Sequence, residues 1–284
     1  MTGTPPPSAA LAVGARGLAK RYGTRCAVDG LDLQIPPGAV AGFVDPNGAG
    51  KTTTMAMLLG LVEPTEGTGS VLGHPLDEPE SYLRRVGALI ETPAFYPALT
   101  GRQNLAVLAA VGSQDPRDIP GVLELVGLTE RGDDRFRGYS LGMKQRLGIA
   151  GALLGDPDLL ILDEPINGLD PSGIREMRGL IRRLADGRRT LLISSHALAE
   201  LDQVCDWLVV IDRGALVYQG PAADFGAGSE TSVVAVPERQ DDLPRLRRLV
   251  LDAAAEQGIA LADVRLAGPT LEERYLASTN GAPR

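Results

Sequence analysis

The sequence has 284 residues, 44% hydrophobic and 23% charged, the proportions of a folded globular chain, which excludes disorder, collagen and fibrous repeats. Its net charge of −8 argues against a nucleic-acid partner, because neutralising phosphates needs a basic face. Lysine occurs only as Lys20, Lys51 and Lys144, a skew that codon bias in a G+C-rich genome explains, so each lysine is kept either for a chemical reason or by chance. Cys26 and Cys205 have neither metal spacing nor a framework of pairs and read as small core residues of a reducing compartment.

Along the chain, residues 1–8 read as a disordered tail. The opening MTGTPPPSAALAV lacks a basic segment and is broken by three prolines, so it is not a secretory signal. No apolar run approaches the roughly 18 residues that cross a bilayer. Continuous apolar runs at 40–44, 159–162, 191–193 and 208–211 predict strands buried on both faces, hence an α/β fold with a parallel core, and a further strand is expected at 86–90. Between about 93 and 154 helices are expected at 102–111, 121–126 and 140–154. From about 226 a small appendage is expected, with a strand at 232–236, a helix over 242–258 and a helical turn around 271–276.

The run 40–44 leads into Asp45-Pro46-Asn47-Gly48-Ala49-Gly50-Lys51-Thr52-Thr53 and then a helical stretch, the context in which a phosphate loop is meaningful. Backbone N–H groups can wrap a phosphate there, with Gly48 and Gly50 allowing close approach. Lys51 supplies charge for the β- and γ-phosphates, and the Thr52 hydroxyl suits Mg²⁺. The pattern asks for glycine at 45, where this chain has Asp45. Its side chain either turns to solvent or caps a neighbouring N–H, as aspartate does in turns, or it weakens nucleotide binding.

The strand 159–162 ends in Asp163-Glu164, which can divide two tasks: Asp163 to the metal and Glu164 to the attacking water. Before it, Ser140 can cap a helix whose N-terminus, with Lys144 one turn in, forms a second anion-binding surface. These motifs together resemble the ATP-binding subunits of ABC transporters. Ser140, Leu141, Gly142, Met143 and Gln145 are similar to the family's signature, Asp163-Glu164 to its Walker B motif and Asn167-Gly168-Leu169-Asp170 to its D-loop. Tyr22 stands where an aromatic residue stacks on adenine, and Ser194-Ser195-His196 follows a strand as the switch histidine does. Glu91 takes the place of the Q-loop glutamine and can reach Mg²⁺ through an oxygen. Its surroundings, 90–97, resemble bacterial exporters and immunity transporters for lantibiotics and bacitracin-like peptides. Ile166 departs from the family's usual threonine, and the closing segment 270–276 resembles drug-exporting relatives.

The resemblance implies a phosphate-loop NTPase core with an antiparallel β subdomain, a helical insertion at 93–154, a cassette over 9–225 and an appendage over 226–284. It implies an ATPase using ATP and Mg²⁺, paired as a homodimer in which each nucleotide meets one protomer's phosphate loop and the other's signature. Glu164 and His196 would be catalytic, residues 45–53 and Tyr22 would bind nucleotide, Thr52, Glu91 and Asp163 would serve the metal, and Asp170 the dimer. A separate permease would hold the chain at the cytoplasmic face of the membrane, with Phe95 and Tyr96 at the contact, for export of an antibiotic, peptide or other hydrophobic compound. The rivals are a soluble ABC-type ATPase of translation or DNA repair, or a regulatory subunit whose hydrolysis Asp45 impairs.

Overall fold

The chain runs through β1 (Val13–Tyr22), β2 (Arg25–Ile35), β3 (Val40–Val44), α1 (Lys51–Leu58), β4 (Glu66–Val71), β5 (His74–Pro75) and β6 (Val86–Leu89). It continues through α2 (Gly101–Val111), α3 (Ile119–Leu125), α4 (Leu141–Leu153), β7 (Leu159–Leu162), α5 (Pro171–Leu184), β8 (Thr190–Ser195), β9 (Trp207–Asp212) and β10 (Ala215–Pro221). The computed structural model describes residues 11–45, 50–91, 93–196, 201, 203–225 and 242–256. Contacts divide the chain into two units, Met1–Phe225 and Gly226–Arg284. In the second unit the described element is a helix, Leu243–Glu256, inside the span expected to be helical. The expected tail at 1–8, strand at 232–236 and turn at 271–276 lie outside the described residues.

In the first unit a six-stranded sheet has the order β10-β9-β3-β8-β7-β6, parallel except for the β9–β10 pair. Strand alternation splits its side chains between two cores. Val40, Val44, Leu160, Leu162, Leu191 and Ile193 face the helices α2 to α5, through Leu105, Leu123, Leu147 and Leu180. Ala41, Phe43, Leu159, Ile161 and Leu192 face α1, through Met55 and Leu58, and the antiparallel sheet. Burial on both faces is why these strands carry continuous apolar runs. The second sheet, β2-β1-β4-β5, is antiparallel, with register breaks around Gly17, whose φ is +60°.

The helical segment is built from local signals. Thr100 and Gln103 form a reciprocal capping box on α2, Ser140 caps α4 through Met143 N–H, and Asp170 caps α5 with Pro171 at its first position. Phe95 meets Phe136 edge-on at 5.2 Å, Phe136 meets Tyr139 at 5.8 Å, and Lys144 Nζ lies 5.5 Å from the Phe136 centroid. At the start of β7 and β8, Asp156 accepts hydrogen bonds from Arg188 and Arg189, and Arg189 also donates to Pro157 O. The Arg188 hydrogen bond holds the Asp156 carboxyl down at about 2.

Cys205 and Cys26 are free and partly buried, so the core reading holds only in part. Burial, with Asp206 beside it, pushes the Cys205 thiol up to about 12, so it stays protonated and unreactive.

Candidate functional site

The carboxyl ends of β3, β7 and β8 lie side by side, the usual place for a ligand in an open parallel sheet. Off β3, the chain turns into α1 with Gly50 as its N-cap and no side-chain cap. Like α3 and unlike α2, α4 and α5, this helix has no side-chain cap, and an anion suits its first N–H groups. Glycine at 50 is also a packing requirement: a Cβ there would lie 2.9 Å from Ile211 Cδ1 and 3.2 Å from Ala27 O. Pro46, Asn47, Gly48 and Ala49 lie outside the described residues.

Asp45 does not turn to solvent; it is 0% exposed. Its Oδ2 accepts the Gly50 N–H at 3.0 Å, and its carbonyl oxygen accepts from Lys51 Nζ at 3.0 Å. Of the readings open from sequence, capping a neighbouring N–H describes the geometry, for the reason aspartate favours turns: a short side chain that reaches nearby amides.

Six side chains meet around the end of β7. Thr52 Oγ1 donates to Asp163 Oδ2 at 2.9 Å, while Ser194 Oγ donates to Asp163 Oδ1 and accepts the Glu164 N–H at 2.8 Å. Glu164 has a left-handed backbone, φ +49°, which turns its carboxylate back over the sheet end. There Oε1 lies 3.4 Å from Lys51 Nζ, and Oε2 lies 2.9 Å from His196 Nδ1. Lys51, 5% exposed, thus links the phosphate loop to the acidic strand end. Thr53, half-buried, follows on the first turn of α1.

Tyr22 ends β1, 49% exposed, with Lys20 Nζ 5.3 Å from its ring centroid. Glu91, just past β6, is exposed with φ +58°. Ser140, Leu141, Gly142 and Met143 line an open cleft of about 450 Å³ with Arg146, Gly168, Leu169, Asp170, Ser172, Gly173 and Glu176. Gln145 does not line that cleft; it is 6% exposed and turned inward. Lys144, expected to add charge to this surface, instead lies over the Phe136 ring, where the aromatic face attracts its ammonium. Phe95 is packed in that cluster, whereas Tyr96 is 61% exposed. Ser194 was not singled out from sequence; parallel register, which places it beside Asp163 where Ile193 pairs with Leu162, is the signal that finds it.

A strand that leads through a glycine-rich sequence into a helix with no side-chain cap, beside a strand followed by two acids, defines a phosphate-loop nucleotide triphosphatase. The family model for ABC transporters matches residues 28–167. The chain is 48% identical over 207 residues to the bacitracin transport ATP-binding protein BcrA of Bacillus licheniformis, covering 72% of this chain and 68% of that one. It is 39% identical over 204 residues to the lantibiotic transport ATP-binding protein SrtF of Streptococcus pyogenes, covering 72% and 88%. A solved structure of an ATP-binding subunit of an ABC transporter superposes with a TM-score of 0.66 at 30% identity, over 77% of this chain and 93% of that one. The chain belongs to the ABC transporter family as one of its ATP-binding proteins, and it is an ATPase.

Proposed function

We propose that two copies of this chain pair at the cytoplasmic face of a membrane, hydrolyse ATP at two shared sites, and drive a separate permease that exports an antibiotic, peptide or other hydrophobic compound. The observation that carries the shared site is a separation within one chain. The cleft lined by Ser140 to Met143 includes none of Lys51, Thr52, Asp163, Glu164 or His196, which supports a signature surface supplied to the phosphate loop by a second copy placed head to tail. Asp170, which lines the same cleft, would face the partner. No helix among the described residues is long and apolar enough to cross a membrane; the relatives' names as transport ATP-binding proteins support a permease on another chain. Exposed Tyr96 is the better candidate than packed Phe95 for its contact. The bacitracin and lantibiotic relatives support the cargo class.

In this reading Tyr22 stacks on adenine, the loop amides of residues 46–53 cradle the phosphates and Lys51 meets the β- and γ-phosphates. Thr52 and Asp163 would hold Mg²⁺. Their oxygens converge at 2.9 Å, and no cluster of three acidic, histidine or cysteine residues encloses them among the described residues, which fits a cation that takes one or two protein oxygens plus substrate phosphates. When bound, Mg²⁺ neutralises charge on the phosphate oxygens. Glu91 would approach the same region. Glu164 takes a proton from the attacking water, and His196 holds that carboxylate through Nδ1 while its other ring nitrogen is left for the γ-phosphate.

The shared site is tested at Gly142. A Cβ there meets only Leu169 Cδ2, at 3.7 Å, so aspartate adds charge at the cleft without disturbing the fold. With ATP, a Glu164→Gln chain should double in mass by light scattering, and Glu164→Gln with Gly142→Asp should stay monomeric. A dimer that survives Gly142→Asp removes the signature from the site.

Asp45 supports a second reading, in which this chain's own carboxylate competes with nucleotide for the Gly50 amide. Asp45→Gly should tighten ATP binding about 10-fold, or 1.4 kcal/mol. Asp45→Asn should fall between, since its amide oxygen can still accept the Gly50 N–H without the charge. Equal affinities for all three chains would show that the carboxylate does not compete.

A further inference from the structure

The two acids that follow β7 do not hold their own orientation. Asp163 is 4% exposed and Glu164 sits in a left-handed backbone conformation that a residue with a Cβ does not favour. Ser194 touches both, and it does so from the neighbouring strand. In β8 it is 1% exposed and lies on the α1 side of the sheet, two residues on from Leu192 on the same face. A hydroxyl buried among Phe43, Ile161 and Leu192 is costly unless its hydrogen bonds are made. Here its proton goes to Asp163 Oδ1, and a lone pair accepts the Glu164 N–H at 2.8 Å.

We infer that Ser194 is a positioning residue for ATP hydrolysis, fixing the peptide between Asp163 and Glu164 so that one carboxylate serves the cation and the other the water. The inference rests on the assignments of Asp163 and Glu164 given above. Asp163 is gripped by two hydroxyls, Thr52 on Oδ2 and Ser194 on Oδ1, which leaves its carboxylate plane no free rotation. The same Ser194 oxygen holds the Glu164 amide, so the left-handed turn that aims Glu164 at Lys51 and His196 is tied to the Asp163 orientation. Outer partners of this kind orient a ligand without touching substrate.

The test separates the hydroxyl from the space it fills. Threonine and valine have the same shape, so Ser194→Thr keeps the hydroxyl and Ser194→Val replaces it with a methyl group. Ser194→Ala and Ser194→Val should lower kcat about 10- to 100-fold with little change in KM, the usual cost of losing an outer partner. Ser194→Thr should retain most of the turnover. A second readout is equilibrium binding of a fluorescent ATP analogue with and without Mg²⁺: the alanine and valine chains should lose most of the gain that Mg²⁺ gives, with binding in its absence unchanged. Threonine and valine chains equally impaired would make the requirement one of shape and overturn the inference, as would an alanine chain with full turnover and a full Mg²⁺ effect. A Glu164→Gln chain assayed alongside keeps the two readings apart, because turnover retained there would overturn the base assignment while leaving the Mg²⁺ binding comparison to judge Ser194.

Discussion

Glu164→Gln should lower ATP turnover by about 10²- to 10⁴-fold, the usual worth of a positioned general base, while leaving ATP affinity within a few-fold of the parent chain. The geometry makes the substitution unusually clean. Glutamine fills the same volume, and its amide can keep one partner on each side, where Glu164 now has Lys51 at 3.4 Å and His196 at 2.9 Å. The backbone amide of residue 164 stays with Ser194, so the strand end need not move. What disappears is the ability to take a proton from water. Phosphate release measured beside equilibrium nucleotide binding separates the two effects. Hydrolysis at the parental rate would move the base elsewhere.

Lys51→Ala should weaken ATP binding by about 10²- to 10³-fold, since a unit charge about 4 Å from another is worth roughly 4 kcal/mol at an effective dielectric constant of 20. Two losses combine. The phosphates lose a cation, and Glu164 loses the ammonium that now screens it, leaving a carboxylate to repel an incoming polyanion. The second loss predicts a coupling: Lys51→Ala combined with Glu164→Gln should bind ATP more tightly than Lys51→Ala alone. Strictly additive affinities would mean that Glu164 and the phosphates do not sense each other. Arginine is a poor substitute, because Nζ is held in a buried site between Asp45 O and Glu164 Oε1, a pocket for a compact point charge rather than a planar fork.

The parallel core was legible because burial on both faces writes itself as uninterrupted apolar runs: β3 and β7 begin and end where Val40, Val44, Leu159 and Leu162 suggest. The antiparallel sheet came only through the family resemblance. In β4 five of six residues are polar or glycine, and β1 breaks register near Gly17, so no period of two survives to be read. Within the site, Lys51, Thr52, Asp163 and Glu164 were legible because each stands at a fixed offset from a strand end, and His196 through the family resemblance. Asp45 was legible as a departure but not in direction, since a side chain that folds back onto Gly50 and one that points to water have the same sequence. Ser194 and Lys144 depend on what lies opposite them, Asp163 on another strand and Phe136 on another turn, and distance in space leaves no mark along the chain.

The aromatic cluster gives the helical segment a mechanical character. Tyr96 is on the surface; its neighbour Phe95 abuts Phe136, and Phe136 lies under Lys144, one turn from Ser140 at the head of α4. Packed rings resist compression, so a displacement applied at Tyr96 would be passed toward the head of α4 rather than absorbed locally.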